Sequence, residues 1–270
     1  MKKLWSPKTG WAWGIFGLSV LLAAWVSFPW PAQGEEFRVE SEVFAPPNRR
    51  LAESVTLFAD GMVYDFPLIG PQEITIFDPQ RKRMILLNAD RQLQTVVGAE
   101  ELLHFTASVR QQASQWKGVY GFAARPEFQQ DYDQKSGWLT LSSQWMTYQV
   151  KGGSPKFPAA AAKYQHFADW YARLNSLRGG LPPFARIELN QAIGKQGMIP
   201  EEVRRTVVDG AGLQKRKVEV RSRHLVNWRL SGTDRKRIAT AADYIGRFRK
   251  VSYEDYRNNK TASAAVPEKR

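Results

Sequence analysis

Between residues 37 and 97, short apolar arms alternate with turn signals at a spacing that antiparallel strands satisfy and helices do not. Phe37, Val39, Ser41 and Val43 alternate with Arg38, Glu40 and Glu42, the period-2 pattern of a half-buried strand over 37–45. Pro46-Pro47-Asn48 breaks it. Arms at 54–59 and 62–68 flank Asp60-Gly61, a dipeptide that accepts the positive φ of a primed hairpin turn. Arms at 73–77 and 83–87 flank Asp78-Pro79-Gln80, where proline presets the turn, and another at 92–97 follows Ala89-Asp90. The pattern predicts an antiparallel meander of about six strands. Ile74-Thr75-Ile76-Phe77 and Met84-Ile85-Leu86-Leu87 are apolar on both faces, so a helix, a second sheet layer or a ligand must cover each side.

The period then changes. Leu102, Leu103, Phe105, Val109 and Trp116 are spaced as on a helix over 99–116, with Glu100-Glu101 near the positive end of its dipole. Strands return at 127–132, 138–141 and 144–150, around a Lys135-Ser136-Gly137 turn. A helix over 157–177 carries Tyr164, Phe167, Ala168, Tyr171 and Leu174 on one face and stops at Gly179-Gly180. A shorter one over 184–193 follows Pro182-Pro183. Residues 203–208 and 215–230 read as a long hairpin around Asp209-Gly210-Ala211-Gly212. Its long arm sorts Val218, Val220, Ser222, His224, Val226, Trp228 and Leu230 to one face. Lys215, Lys217, Arg221, Arg223 and Arg229 take the other, with Glu219 among them. Thr233-Asp234 caps a last helix ending near Arg249, and the chain from Asn258 is polar.

Lys2, Lys3 and Lys8 precede an uncharged apolar run over 10–26, and small residues Ala32 and Gly34 follow Pro29-Trp30-Pro31. This makes residues 1–34 a signal peptide, cleaved near Gly34 or retained as an N-terminal anchor, and gives the protein an exported, periplasmic or cell-envelope address. The remaining 270 − 34 = 236 residues suit a single α+β domain over 35–256 and a disordered tail over 257–270. The formal charge is +13, and without the three leader lysines 13 − 3 = +10 remains. Outside the cytoplasm such a balance favours a membrane surface or an anionic envelope polymer, and no nucleic acid is expected. The absence of cysteine excludes a disulfide framework, a thiolate nucleophile, a thiolate metal site and acylation of this chain as a lipoprotein.

No catalytic residue, metal ligand or cofactor is assigned. His104, His166 and His224 show no metal-ligand spacing, and past the leader the chain has no G-x-S-x-G, phosphate-binding loop or dinucleotide fingerprint. His224 falls on the apolar face of its strand, where it lines a cavity or is a hydrogen-bonded core histidine. Asp60 and Asp78 belong to turns, whereas Asp131 and Asp133 share a strand face as a cation-binding pair or as solvated acids. The basic row projects a charge about every 7 Å along one strand face. It is either a surface for an anionic partner or a solvated edge protected from aggregation by its charge. The aromatics spread over sheet and helix are core or the lining of an acyl pocket.

The stretch Ser54-Val55-Thr56-Leu57-Phe58-Ala59-Asp60-Gly61-Met62-Val63-Tyr64-Asp65-Phe66, with Ile74-Thr75-Ile76-Phe77-Asp78 and Arg83-Met84-Ile85-Leu86-Leu87, resembles the opening meander of the periplasmic outer-membrane lipoprotein carrier (LolA-like) superfamily and related exported proteins. The resemblance covers residues 37–97 and implies an open half-barrel whose concave side is covered by helices and holds acyl chains. The expected fold is therefore α+β, a curved antiparallel β-sheet with helices packed on one side. The expected function is non-catalytic binding of a lipid or lipid-linked hydrophobic ligand between sheet and helices, with Tyr64, Phe66, Trp145, Tyr148, His224 and Trp228 as ligand-binding candidates. The alternative is a structural or scaffold envelope protein that docks Lys215, Lys217, Arg221, Arg223 and Arg229 on an anionic polymer or partner.

Overall fold

The computed structural model describes residues 35–210 and 216–262, the side chains of Ser114 and of 259–262 excepted. All of these belong to one structural unit. The leader over 1–34, Lys215 and the tail beyond 262 lie outside the described residues.

The predicted meander forms as β1 (Phe37–Ala45), β2 (Arg49–Ala59), β3 (Met62–Pro67), β4 (Glu73–Asp78), β5 (Arg83–Asn88) and β6 (Leu93–Gly98). Asp60 and Gly61 carry φ of 51° and 73°, the double left-handed turn that matches the twist of a two-residue hairpin. Next come α1 (Ala99–Gln112), α2 (Gly118–Ala124), β7 (Gln129–Asp133), β8 (Trp138–Ser142) and β9 (Met146–Gly153). The chain continues through α3 (Pro158–Leu177), α4 (Phe184–Lys195), β10 (Ile199–Asp209), β11 (Arg216–Asn227), α5 (Gly232–Arg247), β12 (Arg249–Lys250) and α6 (Tyr253–Ala262).

Among the described residues the strands lie in one 12-stranded sheet, ordered β12-β6-β5-β4-β3-β2-β1-β11-β10-β9-β8-β7. Every pairing is antiparallel except the short parallel contact of β12 with β6. Strand β1 is the join. It pairs with β2 on one side and with β11 on the other, Val39 opposite Val226 and Ser41 opposite His224. The fold is thus α+β with a large open sheet, as the sequence implies.

Helices cover the sheet on both faces, which corrects the expectation that they pack on one side. On one face α3, α1 and α6 bury Phe37, Phe58, Phe77, Met84 and Leu86 beneath Phe167, Leu174, Leu102 and Tyr256. On that same face α2 and α4 cover β8, β9 and β10. On the opposite face α5 sets Ile238, Ala241, Tyr244 and Ile245 against Val55, Leu57, Ile76, Ile85 and Leu87. The reason lies in β4 and β5, whose apolar residues point both ways and leave either face costly to expose.

The start of α5 also differs from the reading. Ser231, rather than Thr233 or Asp234, is the N-cap, and it forms a capping box with Asp234. Asp234 is fully buried and accepts from Arg38 Nη1 at 3.0 and 3.2 Å, which ties the helix to β1. Burial pushes the Asp234 carboxyl up, but the Ser231 and Arg38 hydrogen bonds outweigh it and hold the group below the usual range. Helix α2 is not legible in its glycine-rich sequence. A Cβ at Gly121 would lie 2.4 Å from the Trp116 carbonyl oxygen, so only glycine permits that approach. Helix α6 runs past residue 256, the expected end of the domain, and is held by buried Tyr256, whose hydroxyl donates to Glu73 Oε2 at 2.8 Å.

Candidate functional site

The six ligand-binding candidates do not converge. Tyr64 and Phe66 stack on the face beneath α5 and are buried in its core. Tyr148 is buried under α2 and α4, and Phe128 packs edge-on against its ring. Trp145 sits half-buried in the turn between β8 and β9, where it lines a surface recess with Phe122 and Glu127. Trp228 is half-buried at the margin of the α3 core, 5.6 Å in ring-centroid distance from both Phe37 and Phe157. The space between sheet and α3 is occupied by the chain's own rings. Phe37 stacks on Phe58 at 4.1 Å, and Phe58 and Phe77 both meet Phe167.

His224 is half-buried on β11, between Val226, which packs on the α3 core, and Ser222, which pairs with Val203 of the α4 core. Its Nδ1 is 2.9 Å from Ser41 Oγ and its Nε2 is 2.9 Å from Ser222 Oγ. Burial, with a smaller effect of Arg186, pulls its pKa down to about 4. The ring is therefore neutral at neutral pH, accepting from one serine and donating to the other. Both serines sit on strands with a neighbour on either side, so their backbone amides belong to sheet ladders. The three side chains form a polar clasp across β1 and β11.

Asp65 is a second buried polar group, one to which the sequence alone gives no role. Asp65 accepts from Thr56 Oγ1 at 2.7 Å and from the Tyr171 hydroxyl at 3.0 Å, which pins α3 to β2 and β3. Burial raises its pKa, against the lowering effect of those hydrogen bonds. The signal was an aspartate on a strand whose same-face neighbour is Val63. Of the other acids, Asp133 is engaged by Ser136 and the Lys135 amide within its turn. Among the described residues no group of three or more His, Asp and Glu side chains is placed to hold a metal ion.

The remaining face of the sheet, over β11, β10, β9 and β8, has no buried residue. It carries Lys217, Glu219, Arg221 and Arg223, then Glu202, Arg204 and Thr206, then Thr147, Gln149 and Lys151, then Trp138 and Thr140. The basic row predicted on β11 lies here. Lys217 is paired with Glu219, and Arg229 is exposed just past the end of the strand. Arg221 and Arg223 have no carboxylate within salt-bridge distance among the described residues.

These two arginines gather on Phe44. Their guanidinium carbons lie 5.6 and 6.0 Å from the ring centroid, and Arg50 adds a third at 5.8 Å. Arg50 is neutralised by Glu42 and Glu53, whereas Arg221 is steadied by Asn48 Oδ1 at 3.2 Å. Across the ladder Arg204 stands directly opposite Arg221. It is bonded to Glu202 at 2.7 Å and lies over the Trp138 ring at 4.7 Å. Phe44 and Asn48 were not picked out as site residues from the sequence. The available clue was Phe44, an aromatic residue continuing the otherwise charged face of Arg38, Glu40 and Glu42.

No protein-family model matches the chain, and a search of curated proteins also finds no match.

Proposed function

We propose that this is an exported, non-catalytic binding protein that docks the uncovered face of its sheet, through β11, on an anionic partner of the cell envelope. The observation that carries the reading is a pair of spare arginines, Arg221 and Arg223, held on the Phe44 ring on a face that no helix residue buries. A ring beneath a guanidinium fixes its position without neutralising it, so its donors stay directed at solvent or at a ligand. The leader predicted over 1–34 and the basic balance of the chain support an envelope setting.

A second reading keeps the resemblance to the lipoprotein carrier, with an open half-barrel and a lipid or acyl ligand between sheet and helices. The observation favouring it is the half-buried group Phe157, Tyr164 and Trp228 at the margin of the α3 core. It ranks second because the space beneath α3 is filled by Phe58, Phe77 and Phe167.

Co-sedimentation of the purified protein with vesicles of phosphatidylglycerol and of phosphatidylcholine tests the choice. Docking through β11 requires binding to the anionic vesicles alone, weakening as salt rises, and a loss of about tenfold in the Arg221→Gln, Arg223→Gln double variant. Binding indifferent to salt and to both arginines, together with acyl species released on denaturation, would transfer the assignment to the carrier reading.

A further inference from the structure

The basic face contains a recess whose lining is more selective than a charged surface needs. Strand β1 ends at Ala45 and its last partner on β11 is Arg221, yet β11 begins five residues earlier, at Arg216. In the notch left between the turn at 46–48 and β11 lies a recess of about 410 Å³. Arg204 and Arg221, direct neighbours across the ladder, both line it. Arg204 is bonded to Glu202 through Nε alone, so its terminal nitrogens and those of Arg221 are left to donate charge-assisted hydrogen bonds to an oxyanion placed between them. The carboxylate in the lining, Glu219, is already held by Lys217.

Arg205 is a third cation in the lining, and the rest is neutral and of two kinds. Asn48, Gln149 and Thr206 supply amide and hydroxyl groups, which match the alcohols of a polyol. Pro46 and Pro47 form an apolar wall, a surface for the C–H face of a saturated ring. The volume is at the small end for ligand sites and suits one or two sugar rings.

We infer that this recess binds a phosphorylated saccharide, with the phosphate between Arg204 and Arg221 and the sugar between the prolines and the neutral polar groups. The inference rests on the docking reading above and names the chemistry that the face selects. Two sources carry that chemistry, a glycolipid headgroup and a soluble phosphorylated glycan.

Isothermal titration of the purified protein with glucosamine 1-phosphate, inorganic phosphate and glucosamine tests it, beside vesicles of lipid A and of phosphatidylglycerol. The sugar phosphate should bind at least about tenfold more tightly than either fragment, and Arg221→Gln and Arg204→Gln should each cost about tenfold or more. Lys236→Gln, on the exposed surface of α5, should change nothing, and thermal melts of all three variants should coincide with the parent. Tighter binding to lipid A than to the free sugar phosphate would identify the glycolipid source, and equal binding the soluble one. Equal affinity for inorganic and sugar phosphate would overturn the saccharide inference and leave the docking reading in place. So would arginine-dependent binding to phosphatidylglycerol vesicles with none to the sugar phosphate. Failure of every anionic probe would overturn both.

Discussion

Strands β4 and β11 occupy interior positions in the same sheet, yet β4 buries five of its six residues and β11 buries none of its twelve. Both have antiparallel neighbours on either side, so the backbone ladder does not distinguish them. What differs is cover. β4 lies between α3 and α5, whereas β11 has helices over part of one face and a row of charges on the other. Position at the centre of a sheet therefore does not make a strand part of a core. The doubly covered half supplies stability through apolar burial, which frees the other half to present polar groups at little cost to the fold.

The most severe way to probe this contrast is a matched pair of truncations. Ile76→Ala, beneath α5, should lower unfolding free energy by about 3–4 kcal/mol, whereas Leu225→Ala on the bare face of β11 should stay within about 0.5 kcal/mol. Urea denaturation measures both, and equal losses would dissolve the distinction between the halves.

Next in size is the tie that holds α5 in place. Asp234→Ala removes the capping box and leaves Arg38 without its buried carboxylate, for an expected loss of about 2–3 kcal/mol. Adding Arg38→Met should recover part of that loss, because it removes a half-buried charge left with Glu40 alone. Strict additivity in this double-mutant cycle would mean that α5 does not rely on the pair.

The His224 clasp should show as a pH dependence of about 1–2 kcal/mol, reduced by the partial exposure of the residue. Its folded pKa, about 4, lies below the unfolded value near 6.5, so the unfolded chain binds more protons between the two. Its contribution is fully present above about pH 6.5 and is lost as pH falls toward 4. His224→Asn should flatten that part of the stability profile, and an unchanged slope from chemical denaturation at several pH values would remove the clasp from the account.

The smallest expected stability effect belongs to Arg223→Gln, within about 0.5 kcal/mol by thermal melting while vesicle binding drops. A large loss of stability there would mean that the row on β11 holds the fold together.

Much of the architecture follows from local chemistry. Asp60-Gly61 specifies its own turn, the alternation over 37–45 coincides with β1, and the two-faced apolar arms announce that both sides need cover. The charge sorting along β11 was equally legible, because neighbours of alternate parity share a face whatever pairs with them. Helix α2 was not, since its glycines argue against a helix until Val119 and Ala123 find a core. Nor was the anchoring of α6 by Tyr256 through Glu73, an acid far away in the chain.

The amino-acid sequence by itself determined most of the strands and helices and the cationic row, because periodicity, turn residues and net charge act between near neighbours in the chain. Only the tertiary structure decided that β1 lies beside β11, that α5 closes the second face of one half and not the other, and that Arg204 meets Arg221 beside Phe44 and Asn48. Those are contacts between distant segments. They are selected by which arrangement buries the most apolar surface while satisfying groups such as Asp234 and Asp65, a condition that no single segment expresses.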